Sequence, residues 1–308
     1  MKKAFIDGQA GTTGLKLRSR LERRGDIQLL AIDPDRRKDP AARAALMNQA
    51  DAVFLCLPDE AAVEAVKLVE NPATLVIDAS SAHRVNPGWV YGFPELNPLR
   101  RGLIASSRRV AVPGCYATGF IALVAPLVQG GWIAPSTPLC CHGISGYSGG
   151  GNRMIAEYES APRPAALDSP RQYGLGQSHK HLREMTAIPG LDIPPVFNPI
   201  VCDFFAGMLV SAPLHASSLA KPIGIDGLSL IYSRHYAGER FIRVMPPPPD
   251  GFIPSNALAG TNDLIITVSG NDERITLTAA FDNLGKGASG AAMQCMNIAL
   301  GLDESAGF

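Results

Sequence analysis

Short apolar runs separated by stretches of helical spacing fill the first 80 residues. Residues 3–7 form one run, followed by a glycine turn and helical spacing over 13–24. IQLLAID (27–33) predicts a second strand, 41–49 a helix and AVFLCL (52–57) a third strand. A helix over 60–69 and a fourth strand over 75–79 complete the series. Strands apolar along their length and alternating with helices predict a parallel sheet covered on both faces.

After Pro113-Gly114 the pattern changes. Helical spacing over 115–128 gives way to runs of β-rich composition at 139–144, 204–214, 228–236, 264–268 and 275–281. Consecutive strands without helices between them predict an antiparallel or mixed sheet in an α+β second domain. The PPPP run at 246–249 reads as a rigid surface connection, and the Pro- and Arg-rich stretch 161–173 as a loop. Helical spacing returns over 288–300.

Composition narrows the function class. The 308 residues are about twice a typical domain, so two domains are expected. Equal numbers of cationic and anionic residues and an aromatic content of 6% give no nucleic-acid track, base-stacking platform or anionic-membrane surface. No run approaches the roughly 18 apolar residues of a membrane span. The start, Met1-Lys2-Lys3-Ala4-Phe5, lacks a signal-peptide pattern, so a cytoplasmic protein with reduced cysteines is expected. The composition fits an enzyme of small molecules.

Gly8-Gln9-Ala10-Gly11-Thr12-Thr13-Gly14 places G-x-x-G-x-x-G between a strand and a helix. Gly8, Gly11 and Gly14 let the backbone approach a pyrophosphate, and the helix N-terminus offers N–H groups and dipole to the anion. Thr12 and Thr13 add hydroxyl donors. The second strand is followed by Asp33-Pro34-Asp35-Arg36-Arg37-Lys38. Arg36 and Arg37 suit the 2′-phosphate of NADP, whereas Asp33 leaves NAD open.

Cysteine placement is uneven. Cys115 opens an apolar helix after Pro113-Gly114, where the positive end of the dipole favours a nucleophilic thiolate. Cys56, Cys140, Cys141, Cys202 and Cys295 sit in apolar runs and read as packing residues. A thiolate nucleophile needs a proton partner. His179-Lys180-His181, with Glu184, stands in a polar segment where imidazoles are not expected as core. No Cys or carboxylate set completes a metal site around that H-x-H pair, and no metal is expected.

On these residues the chain resembles the N-acetyl-gamma-glutamyl-phosphate reductases, in their compact branch, of the aspartate-semialdehyde dehydrogenase-like superfamily. The resemblance runs nearly end to end. Besides the glycine turn it is carried by DASSAHR (78–84), GFPELN (92–97), PGCYAT (113–118), GISGYSGGG (143–151), HKHLREM (179–185) and DNLGKGASG (282–290). SSAHR stands where S-A-D-F-R is commoner, and Arg183 replaces a proline. PGCYAT differs from the N-C sequence typical of aspartate-semialdehyde dehydrogenase.

The resemblance implies a Rossmann-type nucleotide domain at 1–114, completed by a helix over 286–308. It implies an α+β substrate and oligomerisation domain at 115–285. The activity implied is NADP-dependent reduction of N-acetyl-gamma-glutamyl phosphate to N-acetylglutamate 5-semialdehyde and phosphate, through a thioester on Cys115. Either His179 or His181 would handle the proton. Cys56, Leu57, Pro58, Ser145, Gly146 and Asn283 are further expected cofactor contacts, Asn283 at the nicotinamide amide. Arg84, Asn97, Arg153 and Glu184 are expected at the substrate. A homodimer or homotetramer is implied. Another cysteine acyl-phosphate reductase, acting on aspartyl phosphate or in the lysine pathway, and a non-catalytic NADP-binding regulator are the alternatives.

Overall fold

The computed structural model describes residues 1–308. The chain divides into two compact units. The first comprises Met1–Pro94, Pro98–Pro113 and Ala288–Phe308; the second comprises Glu95–Asn97 and Gly114–Gly287.

The first unit alternates β1 (Lys2–Asp7), α1 (Thr12–Leu21), β2 (Ile27–Leu30), α2 (Pro40–Gln49), β3 (Ala52–Leu55), α3 (Asp59–Lys67) and β4 (Leu75–Asp78). Then come β5 (Val90–Tyr91), α4 (Arg100–Ser106) and β6 (Arg109–Ala111). All pairings in its sheet are parallel, in the order β2-β1-β3-β4-β6-β5. One side chain set of these strands, including Ala4, Ile6, Phe54 and Ile77, packs with Leu17, Leu21, Met293 and Met296. The opposite set, Phe5, Val53, Leu55 and Val76, packs with Met47, Ala62 and Ala65. This two-sided burial is why the strands lack polar alternation.

The second unit runs α5 (Cys115–Gln129), β7 (Cys140–Gly146), α6 (Gly151–Glu159), β8 (Arg171–Gln172), α7 (Leu182–Ala187) and β9 (Val196–Cys202). It continues with β10 (Met208–His215), α8 (Ile225–His235), β11 (Ile242–Val244), β12 (Leu264–Gly270) and β13 (Arg274–Phe281). The seven strands form one mixed sheet, β11-β12-β13-β10-β7-β9-β8, with parallel pairs at β11/β12 and β7/β9. Helix α5 is buried from Tyr116 to Leu127 and packs on β10 and β13. Gly119 allows the approach: a Cβ there would come 2.7 Å from that of Val210. The chain returns to the first unit as α9 (Gly290–Ala299), packed on β4 and α4.

The α/β architecture matches the expectation, with three corrections, one being that residues 171–172 of the expected loop 161–173 form strand β8 on β9. The 228–236 run is helix α8, not a strand, and helices α6 to α8 separate strands expected to be consecutive. Leu228, Tyr232 and Tyr236 are buried four residues apart, a helical face. Strand β9, which the sequence reading left unassigned, lies between β7 and β8. The 246–249 prolines form an irregular, mostly exposed connection, as expected.

Candidate active site

Cys115 is the first residue of α5, with Gly114 as an extended N-cap that offers no side chain to the helix terminus. Its first turn is secured from α7, which packs on α5. Glu184, 1% exposed, accepts the Gly114 N–H at 3.1 Å. A carboxylate expected at the substrate therefore holds the peptide immediately before the cysteine. From the other side, a Cβ on Gly287 would lie 3.0 Å from Cys115 Cβ, so only glycine fits there without displacement.

His179 and His181 stand 4.6 Å apart, edge to face. Both lie 6.1 Å from the Tyr116 ring, the residue next to Cys115. The backbone N–H of His181 donates to His179 Nδ1, which fixes that ring's orientation. His181 is 4% exposed, although the polar segment gave no expectation of a core imidazole; it packs beside the Tyr116 ring. The wall itself was missed from sequence. Tyr116 meets Phe197 at 5.2 Å, and the Tyr173 hydroxyl donates to that of Tyr116 at 3.2 Å. Burial first, then the neighbouring Tyr173 and Cys115, push the Tyr116 phenol well above its ordinary range, so it stays protonated. A Cβ on Gly143 would strike the Tyr116 ring at 2.4 Å, so the glycine of GISG makes room for it.

The remaining cysteines divide. Cys141 and Cys295 are buried, as packing residues should be. Cys140 is exposed and Cys202 half-buried, because their strand positions face away from the sheet's covered side. Cys56 lies one residue past β3. Burial and the carboxylates of Asp78 and Asp7 push its thiol up to about 12, so it stays protonated at neutral pH.

In the first unit, Gly8 adopts φ +84° and a Cβ there would collide with Cys56 O at 2.3 Å. Gly14 is as constrained, 2.6 Å from Gly8 O. Gly11 caps α1, Thr12 and Thr13 begin it, and no side chain occupies the cap. The backbone N–H groups of such a first turn lack intrahelical acceptors and suit an anion. A cavity of about 390 Å³ is lined by Gly8, Ala10, Ile32, Arg37, Lys38 and Leu57. The lining, which also includes the ion-paired Asp7 and Arg43, offers what a dinucleotide needs: glycine backbone for a phosphate, apolar walls and the cations Arg37 and Lys38. Arg36 instead forks onto Asp39 at 2.7 Å. Lys38 is the cation that sequence reasoning left unassigned. Pro58 is the N-cap of α3.

The other expected contacts fall as follows. Arg84 is buried and donates to Val112 O and Ala79 O, tying the loops after β6 and β4. His83, stacked on Trp89 at 4.1 Å, meets Asp78 Oδ2 at 2.6 Å beside it. Arg153 is exposed on α6 and Asn97 is half-buried after a 3₁₀ turn. Ser145 and Gly146 end β7, and Ser145 Oγ donates to Gly146 O. Asn283 is engaged at both ends of its amide: Oδ1 accepts from Gly207 N–H and Nδ2 donates to Ser148 Oγ. No group of three or more His, Cys, Asp or Glu residues is arranged to hold a metal.

Comparison with known proteins places these features in context. Residues 115–283 match the family described as semialdehyde dehydrogenase, dimerisation domain. Residues 35–101 match semialdehyde dehydrogenase, NAD binding domain. An N-acetyl-gamma-glutamyl-phosphate reductase 2 of Nostoc sp. is 47% identical over 99% of this chain and 98% of its own. A protein of the same name from Pseudomonas putida is 44% identical over 98% of each. Aspartate-semialdehyde dehydrogenase from Francisella tularensis shares the fold, with TM-score 0.73, 15% identity, and 97% and 99% of the two chains covered. The Candida albicans enzyme, solved with NADP, superposes with TM-score 0.67 at 16% identity, covering 97% and 98%.

Proposed function

Because the chain belongs to the semialdehyde dehydrogenase family, among its N-acetyl-gamma-glutamyl-phosphate reductases, we propose that it reduces N-acetyl-gamma-glutamyl phosphate to N-acetylglutamate 5-semialdehyde and phosphate. The observation that carries the reading is Cys115 at the opening of α5, held by Glu184 and walled by Tyr116 beside two imidazoles.

In this reading Cys115 sulfur attacks the acyl carbon, its bond to phosphate oxygen breaks, and a thioester remains. The split is favourable because phosphate leaves readily and a thioester carbonyl stays electrophilic. NADPH supplies the hydride that reduces this carbonyl carbon. His181, with His179, holds the proton at the hemiacetal oxygen; its loss lets the carbon–sulfur bond break, releasing aldehyde and restoring the thiolate. Glu184 orients the peptide that presents the sulfur. Gly8, Gly11, Thr12, Thr13 and Gly14 hold the pyrophosphate, with Cys56, Leu57 and Pro58 alongside. Arg37 with Lys38 takes the adenosine 2′-phosphate, and Arg36 borders it. Ser145, Gly146 and Asn283 meet the nicotinamide end. Arg84, Asn97 and Arg153 serve the substrate's anionic groups, Arg84 through the loops it ties.

The first unit is thus the nucleotide domain and the second the catalytic domain. A homodimer or homotetramer in the cytoplasm is the working state, supported by the match to a dimerisation domain. No helix is long and apolar enough to cross a membrane.

The test is phosphate-dependent NADP reduction with N-acetylglutamate semialdehyde or aspartate semialdehyde, on wild type and Cys115→Ser. We expect turnover with the first aldehyde and a loss of at least about 10³-fold in Cys115→Ser. Turnover with aspartate semialdehyde alone, or an active Cys115→Ser protein, overturns the reading.

A further inference from the structure

The second unit contains a buried ion pair to which the reaction above assigns no role. Lys286 and Glu95 are each 1% exposed, and Lys286 Nζ lies 2.7 and 2.8 Å from the two carboxylate oxygens. The ammonium also stands over the Phe241 ring, 5.8 Å from its centre. Glu95 comes from the 3₁₀ turn Pro94–Leu96, and the short segment Glu95–Asn97 is grouped with the second unit although the chain on both sides of it is not.

A desolvated pair of this kind is poor evidence for stability, since well-packed apolar residues of similar volume often serve equally well. What it does supply is position. Lys286 sits in a five-residue π-turn, Gly285–Ser289, a rare wide geometry that is frequent at functional sites. Both flanking residues are glycines under close constraint. A Cβ on Gly285 would fall 1.9 Å from Thr261 O, and one on Gly287 would fall 3.0 Å from Cys115 Cβ. The Gly287 N–H donates to Asp282 O, while Asp282 Oδ1 accepts the Leu284 N–H. Lys286 is therefore the one side chain in the Gly-Lys-Gly opening of the turn, adjacent to the glycine that rests against the cysteine.

We propose that the Glu95–Lys286 pair is a positioning device for the reaction: it pins the π-turn so that Gly287 fixes the side chain of Cys115. In this role the pair acts through the turn and Gly287, not on the substrate. The inference rests on Cys115 being the nucleophile. It is tested by a readout independent of turnover, so that failure of either idea is seen separately.

The variant is the apolar double replacement Glu95→Leu/Lys286→Met, which leaves no buried lone charge. Four quantities are read: its thermal midpoint, kcat with N-acetylglutamate semialdehyde, KM for NADP, and the rate of Cys115 alkylation by iodoacetamide, followed by peptide mass. We expect a folded protein whose kcat falls about tenfold or more with the KM for NADP within about threefold, because displacement of a reacting group costs rate before it costs remote binding. The Cys115 alkylation rate should change by at least about threefold. Gly287→Ala, with the ion pair intact, should lower kcat in the same way by pressing a methyl group on the cysteine. Wild-type kcat and alkylation rate in the folded double variant overturn the proposal, as does wild-type kcat in Gly287→Ala. A double variant that cannot fold also counts against it, because the pair is then a strut of the fold. An active Cys115→Ser protein removes the premise instead, and leaves the alkylation rates to judge the geometry.

Discussion

The Gly114 peptide shows how a single side chain can hold the start of a helix, here the turn that carries Cys115. Its N–H is buried and is satisfied by Glu184 Oε2 at 3.1 Å. Glu184→Ala removes that acceptor and should cost about 1–3 kcal/mol in urea unfolding, the usual penalty for a stranded buried donor. Glu184→Gln keeps an oxygen in place and should recover most of that loss. If both variants unfold at the wild-type midpoint, the bond is not holding the turn. The H-K-H-x-x-E spacing was visible in the sequence as a proton-transfer pair with a substrate carboxylate, in a segment whose polarity argued against core imidazoles. Burial was hidden because the partner that covers His181 is Tyr116, 65 positions earlier by number and joined only through the packing of α5 on α7. Cys115 was legible for the opposite reason: Pro-Gly before a long apolar run is a local signal for a helix start, and needs no distant contact.

At the scale of elements, α5 and α8 explain each other. Pro126 lies inside α5 and has no N–H, so the carbonyl four residues earlier, Ala122 O, loses its helical donor. The Tyr236 hydroxyl supplies the replacement at 2.7 Å, and Tyr232 donates to the adjacent Leu123 O. Burial pushes both phenols well above their ordinary range, consistent with permanent donors. Tyr236→Phe should therefore destabilise the protein by about 1–3 kcal/mol in chemical denaturation. In a Pro126→Ala background, which restores a helical donor for Ala122, the same change should cost clearly less. Equal costs in the two backgrounds would break the link between the proline and the tyrosine. The same residues account for the misread element. LSLIYSRHY has the β-branched and aromatic flavour of a strand, and its helical face emerges only once Leu228, Tyr232 and Tyr236 are seen buried together. Parallel strands β1 to β4 escaped such ambiguity because short apolar runs flanked by helices have few other readings.

At the scale of the whole molecule, charge is balanced at 28 cationic and 28 anionic side chains, so no global field draws in an anionic cofactor. Recognition of a phosphate must then be local and short-ranged, fading within roughly 8 Å at physiological salt. On the reading proposed above, Arg37 and Lys38 on the 390 Å³ cavity would provide it, whereas Arg43 on the same cavity is paired with Asp7 and Arg36 with Asp39. A ligand that binds only the folded state at about a hundred times its Kd adds about 2.7 kcal/mol to stability. NADP should accordingly raise the thermal midpoint of the wild-type protein more than NAD does at equal concentration. Arg37→Glu/Lys38→Glu should erase the difference while leaving the shift from NAD in place, since the glycine turn at Gly8 is untouched. Added salt should shrink the NADP shift more than the NAD shift, because only the former depends on exposed ion pairs. Equal shifts from the two cofactors in the wild type would show that the cations after β2 are a solvated face and that the cofactor is chosen elsewhere.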